Sequence, residues 1–265
     1  GNSVAGRGWL SLTLALFSRL KMYRRILAAL LFIGAASWAA AAELPVIALA
    51  RNYLGAEASL VAVQSIRYEG VLIPEEGAAE VPIEILFQKP CQQRIVVKSE
   101  TTVETTALND YEAWHRTQSA QEPDKQKLTL LTIDQLRSLR ANTAENLWFY
   151  TGPSHQGGTI EDFGEVSVRG ATCRKLAFRY TPSVVFIRYI DTTTGRLVQS
   201  ETEKGDWITE EGEIVAGGVH FPKRIVRHSK MPDGSPRVIT ILFNKITVNE
   251  PVEAFAFTMP PALFR

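Results

Sequence analysis

The sequence predicts a mainly β protein with one antiparallel domain and about three helices. Two observations lead to this fold class. The chain of 265 residues is 45% hydrophobic and 22% charged, a globular composition that excludes a disordered or fibrous chain. From about residue 166 onward, short strand patterns alternate with turn signals, which is typical of a sandwich or a barrel rather than a parallel sheet. The net charge of +1 also argues against a protein that binds nucleic acid mainly by charge.

Residues 1–42 predict an N-terminal extension that ends in a secretory signal peptide. They contain five basic residues and no acidic one, so 24 basic and 28 acidic residues remain, a net charge of −4 for residues 43–265. Arg24 and Arg25 precede the apolar run Ile26–Ala36, and four alanines end at Ala42, where we expect cleavage. A membrane anchor is the alternative, at the short limit for spanning. Met22 is a candidate start of translation.

Two helices are predicted at the beginning of the domain at 43–265. Leu44–Leu54 has apolar residues at helical spacing, with Pro45 in its first turn and Gly55 as its C-terminal cap. Ala56–Gln64 follows as a second, shorter helix.

A third helix is predicted later in the chain. Thr132 and Gln135 form a capping-box pattern, and apolar residues continue at helical spacing to Leu147. Gly152 and Pro153 close this segment.

Strand patterns occupy most of the remaining domain. Ser65–Ile73 places Ile66, Tyr68, Gly70 and Leu72 on one face, and the next strand alternates around Ile83, Ile85 and Phe87. Gln118–Lys127 is predicted to be a polar loop. Further strands are predicted at Arg94–Ala107, Tyr111–Arg116, Val166–Val168, Cys173–Tyr180, Val184–Ile190, Leu197–Thr202, Val219–His228, Val238–Phe243 and Phe255–Met259.

A scan for catalytic and metal-binding motifs finds none that is convincing. The zinc-protease, phosphate-loop and dinucleotide patterns are absent. The segment Gly152–Gly157 resembles a nucleophile elbow, but its second glycine falls one position late and Pro153 would disturb the turn. We therefore expect no enzyme activity, no cofactor and no metal.

Cys91 and Cys173 are the only cysteines after residue 42. In an oxidising compartment they could form one disulfide bond. Two unpaired thiols, buried as small apolar groups, are the equal alternative.

Several strands carry large apolar side chains on both faces. Val184, Phe186 and Ile190 lie on one side of their strand, and Ile187 and Tyr189 lie on the other. Both faces could be packed core, as in a sandwich, which the pattern alone slightly favours. A curved sheet covered by helices could instead leave one face lining a cavity.

A series of short segments supports a family resemblance over nearly all of residues 44–265. They are Ala50–Gly55 with Gln64–Gly70, Phe87–Pro90 with Arg94, Asp110–Trp114, Gly170–Leu176, Asp191–Leu197, Gly217–Pro222 and Ile246–Asn249. In this order they resemble the bacterial periplasmic LolA-like family, the outer-membrane lipoprotein-sorting proteins and their relatives. Tyr111 stands where that family usually has glycine.

The resemblance implies a single strongly curved antiparallel sheet, an unclosed barrel, with helices as a lid over an apolar cavity. It also implies a periplasmic, non-catalytic carrier of the acyl chains of a lipid or lipoprotein. Its partners would be these chains and membrane-associated donor and acceptor proteins, with no nucleic acid, and the protein would be a monomer. From strand parity, the cavity residues are expected to be Leu72, Ile83, Ile85, Phe87, Phe178, Phe186 and Phe243, with Leu136 and Leu139 from the lid.

Two other functions remain open. The same scaffold could serve a periplasmic sensor or regulator that binds a protein partner. An exported hydrolase, with Ser154 and His155 as the residues to test, is the remote alternative.

Overall fold

The computed structural model describes residues 43–202 and 205–261. The predicted signal peptide and its cleavage site lie outside the described residues. The helices are α1 (Pro45–Leu54), α2 (Glu57–Ala62) and α3 (Ile133–Leu147). The strands are β1 (Ser65–Ile73), β2 (Val81–Gln88), β3 (Gln92–Lys98), β4 (Thr102–Asn109), β5 (Glu112–Ser119), β6 (Gln126–Leu130), β7 (Thr159–Val168), β8 (Ala171–Thr181), β9 (Val184–Asp191), β10 (Leu197–Thr202), β11 (Trp207–Glu211), β12 (Ile214–Ala216), β13 (Val219–Phe221), β14 (Arg224–Lys230) and β15 (Pro236–Val248).

Thirteen of the described strands form one antiparallel sheet in the order β6-β5-β4-β3-β2-β1-β15-β14-β11-β10-β9-β8-β7. β1 and β15, from opposite ends of the domain, pair at its centre. The sheet is curved and is not closed into a barrel, because β6 and β7 form its two edges. The predicted curved, unclosed antiparallel sheet is therefore confirmed, and the sandwich that the residue pattern alone favoured is wrong. β12 and β13 form a separate hairpin.

The three helices pack on one face of the sheet, which we call the inner face and which carries Tyr68, Phe178 and Phe243. Ile47 of α1 and Ala144 of α3 pack with Phe178 in one buried cluster. The small side chains Ala50 of α1 and Ala141 of α3 belong to the same cluster. The capping box at Thr132 forms as predicted and fixes the start of α3, since the Thr132 hydroxyl accepts from the Gln135 N–H.

Some predicted boundaries are wrong for local reasons. Arg94–Ala107 is not one strand, because the Ser99 hydroxyl accepts the Thr102 N–H at 2.9 Å and turns the chain between β3 and β4. Val219–His228 is divided between β13 and β14 at Pro222, which has no N–H to donate to a ladder.

Other boundaries move at the ends of elements. The second helix ends at Ala62 because Val63 is extended, with φ −65° and ψ 120°. The segment predicted as a polar loop already contains the start of β6 at Gln126. Phe255–Met259 forms turns instead of the predicted strand.

That C-terminal segment covers part of the outer face. Ala256 and Phe257 pack against Leu86 of β2. The indole Nε1 of Trp114 donates to the Phe257 carbonyl oxygen at 3.1 Å, and Arg94 donates to that of Ala256 at 3.2 Å. Apolar side chains on the outer side of β2 and β5 are therefore shielded from water by the end of the chain.

The two cysteines are free and buried. Cys91 packs under α3 with Leu108 and Leu139, on the inner side of the sheet. Cys173 packs with Tyr189 on the outer side. No disulfide forms because the two thiols belong to clusters on opposite faces, so the buried-thiol alternative describes the structure. Burial raises the pKa of the Cys91 thiol to about 11.

Candidate functional site

An apolar cavity lies against the centre of the inner face, and we call it the sheet-side cavity. Its volume is about 260 Å³. Five of the nine predicted cavity residues line it together: Leu72, Ile83, Ile85, Phe87 and Phe243. Side chains alternate between the two faces along each strand, and these five lie on the inner face of β1, β2 and β15. The odd or even position of each residue in its strand was therefore sufficient to group them.

The other four predicted residues fill packed clusters and line none of the cavities described here. Phe178 is fully buried and Phe186 packs beside it, under α1 and α3. Leu136 and Leu139 pack with Cys91 and Leu108. The strand parity of Phe178 and Phe186 is correct, but the helices occupy the space that these side chains face.

Polar groups complete the wall of the sheet-side cavity. Asn142 and Asn146 of α3 line it, together with Glu210 of β11. Burial raises the pKa of the Glu210 carboxyl, and the Arg188 guanidinium opposes that rise only in part. Glu210 also lines a third cavity, of about 350 Å³ and with a mixed polar and apolar wall, beside Tyr53 and the β12–β13 hairpin. Glu210 therefore lines both a mainly apolar cavity and one with a mixed wall.

A much larger cavity lies outside the sequence prediction, and we call it the helix-side cavity. Its volume is about 1170 Å³. It is formed between α1, α2, the Lys89–Pro90 turn and the segment 147–160. Its apolar lining residues are Leu44, Ile47, Leu60, Val61, Pro90, Leu147, Trp148, Phe149, Pro153 and Ile160.

The two cavities share one apolar cluster. Leu60, Leu147 and Phe149 from the wall of the helix-side cavity belong to the same buried cluster as Leu72 and Phe243 from the sheet-side cavity. The interior of the curved sheet is thus apolar from one cavity to the other, with buried side chains between them.

The backbone after α3 shapes the helix-side cavity. Phe149 and Tyr150 both have left-handed backbone angles, with φ of 43° and 72°. Such angles are unfavourable for bulky residues, so contacts must hold the turn. Arg51 of α1 does so by donating to the carbonyl oxygens of Trp148 and Phe149 at 3.2 and 2.7 Å, and it also pairs with Glu57.

A buried ionic network fixes the other side of α3. Arg188 of β9 pairs with Glu145 of α3, and the Tyr180 hydroxyl donates to the same carboxylate. Arg188 also donates to the Ser200 hydroxyl at 3.1 Å. Because each charge is paired, the network ties α3 to three strands without leaving a buried charge unsatisfied. We therefore treat α3 as a rigid wall of both cavities.

Basic and aromatic groups surround the mouth of the helix-side cavity. The Lys89 ammonium lies 4.2 Å from the centre of the Trp148 ring, and the His155 ring stacks on Trp148 at 3.6 Å. Partial burial lowers the pKa of Lys89, as does the nearby Arg51. Burial, Lys89 and Arg51 together lower the pKa of His155. Glu43 and Glu57 also line this cavity, so basic and acidic side chains both occur along its wall.

The described residues show no arrangement for metal binding. No three His, Cys, Asp or Glu side chains among them are grouped to hold a metal ion. Ser154 donates to the Thr151 carbonyl oxygen at 2.8 Å, while His155 stacks on Trp148. The mainly apolar wall of the helix-side cavity is suited to holding an apolar ligand. None of the described helices has the length and hydropathy to cross a membrane.

Comparison with known proteins identifies the fold. No family profile and no curated protein sequence matches the chain. Solved structures do match, among them a LolA superfamily protein from Nitrosomonas europaea, with a TM-score of 0.53 and 10% identity over 81% of this chain and 96% of that one. A putative outer membrane lipoprotein-sorting protein domain from Vibrio parahaemolyticus matches with a TM-score of 0.51 and 6% identity, over 80% of this chain and 95% of that one. A DUF1329 family protein from Desulfovibrio piger matches with a TM-score of 0.51 and 10% identity, over the same shares of the two chains. The predicted LolA-like fold is confirmed.

Proposed function

We propose that this protein is exported to the periplasm, where it binds the acyl chains of a lipid or lipoprotein and carries them through water without chemical change. The observation that carries the proposal is the helix-side cavity, with about 1170 Å³ of space and a mainly apolar wall. Ligand pockets in proteins typically have volumes of about 300–1,000 Å³. The cavity is therefore large enough for a long, flexible apolar group.

Burial of an acyl chain supplies sufficient binding free energy. Each buried CH₂ contributes about 0.8 kcal/mol, so ten of them contribute about 8 kcal/mol before the entropy of ordering the chain is subtracted. We expect a moderate net affinity once this entropy is subtracted, which suits a carrier that must release its cargo. No bond has to be made or broken, which agrees with the absence of a catalytic motif in the sequence.

The location of α1 and α2 suggests how cargo enters. Both are short, with ten and six residues, and isolated helices of this length are marginally stable in water. They are held mainly by packing and by the contacts of Arg51. We propose that they move outward to admit the chain, while α3 stays fixed by the Arg188–Glu145 network.

Export rests on the N-terminal leader, and the fold supports the proposal. Basic residues, an apolar run and alanines ending at Ala42 form the predicted signal peptide. The similar structures include a putative outer membrane lipoprotein-sorting protein domain. Carriage of acyl chains between membranes is a function that such a scaffold can perform.

Binding of a fluorescent long-chain fatty acid to the detergent-free protein tests the proposal. Val61 lines the helix-side cavity, yet its side chain is 60% exposed, so Val61→Glu places a charge at the cavity without emptying the core. Val215, which is 55% exposed on the β12–β13 hairpin, gives the matched control Val215→Glu. We expect Val61→Glu to weaken binding about tenfold or more, since an acyl chain cannot solvate a carboxylate, and Val215→Glu to leave it unchanged. Absence of binding in the wild type would refute the carrier proposal.

One observation favours the sensor or regulator as a second candidate. Leu130 of the edge strand β6 is 64% exposed, and Ile133 at the start of α3 is 58% exposed. An exposed edge with apolar side chains can pair with a strand from another protein. In that case Leu130→Glu would abolish the binding of a specific periplasmic partner, and Val61→Glu would leave that binding unchanged.

A further inference from the structure

Three basic side chains contact one residue, Trp148, in the wall of the helix-side cavity. Arg51 donates to its carbonyl oxygen at 3.2 Å, the Lys89 ammonium lies 4.2 Å from the ring centre, and the His155 ring stacks on the indole at 3.6 Å. All four residues line the cavity. Basic side chains therefore cluster around Trp148 at the edge of the apolar space, in a wall that Glu43 and Glu57 also line.

The charge of Arg51 is neutralised within the protein, but that of Lys89 is not. Arg51 pairs with Glu57 and binds two carbonyl oxygens. Among the described residues, no carboxylate forms an ion pair with Lys89 or His155. The lowered pKa values of both groups reflect burial and the crowding of like charges. An anion placed between them would form a charge-assisted hydrogen bond with the Lys89 ammonium and accept a second hydrogen bond from the N–H of the His155 ring.

We infer that the helix-side cavity selects amphiphiles with an anionic headgroup, a phosphate or a carboxylate, held by Lys89 and His155 beside Trp148, while the tail lies between the helices α1 and α2 and the segment 147–160. This inference rests on the proposed function and names the class of its cargo. A cationic headgroup at this position would be repelled by the Lys89 ammonium. A neutral headgroup would leave the Lys89 ammonium without a counter-charge.

Calorimetric titration with decyl phosphate, decyl glucoside and decylamine tests the inference, with each ligand kept below its critical micelle concentration. The tail is the same in all three, so differences report the headgroup. Lys89→Gln removes the charge and Lys89→Arg keeps it. Lys98→Gln removes the same charge from an exposed position at the end of β3, which controls for net charge. Inorganic phosphate alone distinguishes a headgroup site from a site for the free anion.

We expect decyl phosphate to bind about tenfold more tightly than decyl glucoside, as a charge-assisted hydrogen bond predicts. Lys89→Gln should abolish this preference, and Lys89→Arg and Lys98→Gln should preserve it. Equal binding of the two ligands would overturn the inference and leave the carrier function standing. Binding of inorganic phosphate as tightly as decyl phosphate would overturn the headgroup site in favour of a free-anion site. Failure of all three amphiphiles to bind would overturn the carrier function, and the inference with it.

Discussion

Glu210 shows how a single residue can mark the boundary between two environments. It lines both the mainly apolar sheet-side cavity and the cavity with a mixed wall beside the β12–β13 hairpin. Its charge also raises the pKa values of Tyr68 and Tyr150, beyond the larger effect of burial. No strand pattern distinguishes Glu210 from Glu211, although the two face opposite sides of β11.

The raised pKa of Glu210 predicts a pH-dependent effect of Glu210→Gln. The native state holds this proton more tightly than the unfolded chain does. Glu210 therefore contributes stability that is fully present below the ordinary glutamate pKa of about 4.3 and is lost as the pH rises through the native pKa. Glutamine resembles the neutral acid, so Glu210→Gln should increase the free energy of unfolding at pH 7, with the gain fading toward pH 4.

Denaturant unfolding at pH 4, 5, 6 and 7 measures this effect. Glu211→Gln is the matched control, because Glu211 is exposed and pairs with Arg224 across the sheet surface. Such a pair contributes at most about 1 kcal/mol, so the control should lose a little stability at pH 7. A loss of stability in Glu210→Gln at pH 7 would contradict the account.

At the scale of elements, Gly70 determines how closely the two central strands approach. The β1–β15 register shifts between Glu69, opposite Lys245, and Gly70, opposite Phe243, so β15 has one extra residue here, as at a β-bulge. A Cβ added at Gly70 would lie well inside van der Waals contact with the Leu242 carbonyl oxygen. Glycine is required here because the neighbouring backbone leaves no space for a side chain. The sequence alone shows only that Gly70 lies on the same strand face as the apolar residues of β1.

We predict that Gly70→Ala lowers the free energy of unfolding by at least about 2 kcal/mol, since overpacking against backbone cannot relax easily. Gly77→Ala is the comparison, because Gly77 has open space around it but a φ of +80°, and should lose only about 1 kcal/mol. Thermal or denaturant unfolding of both variants shows which one loses more free energy of unfolding. A smaller loss in Gly70→Ala than in Gly77→Ala would show that the bulge does not restrict the strands in this way.

The elements also show what could be predicted from the sequence. β1 was predicted with its observed bounds, and the capping box at Thr132 forms, because local alternation and local hydrogen bonds determine them. The sheet-side cavity residues follow from parity. Phe178 and Phe186 have the predicted parity but lie under helices, because long-range packing decides which half of the sheet is covered.

The helix-side cavity could not be predicted for a similar reason. It depends on left-handed backbone at Phe149 and Tyr150 and on Arg51 reaching their turn from 97 residues away in the chain. No local pattern signals either feature. In the sequence, Arg51 is only a polar position on an amphipathic helix. The folded chain shows that its side chain joins α1 to the end of α3.

For the whole molecule, the central claim is that the described domain holds an acyl chain between its short N-terminal helices and the segment after α3. The thirteen-stranded sheet is rigid because each of its inner strands pairs on both sides. The helix-side cavity combines large volume with short covering helices. Cargo binding and release should therefore involve α1 and α2 and leave the sheet unchanged.

Photolabelling tests this claim most directly. A long-chain fatty acid with a diazirine near its methyl end is bound to the protein, irradiated, and its adducts are mapped by mass spectrometry of peptides. We predict adducts within residues 44–64 and 147–160, reduced by excess unlabelled fatty acid. Adducts confined to the outer face of the sheet, or scattered and insensitive to competition, would contradict the account.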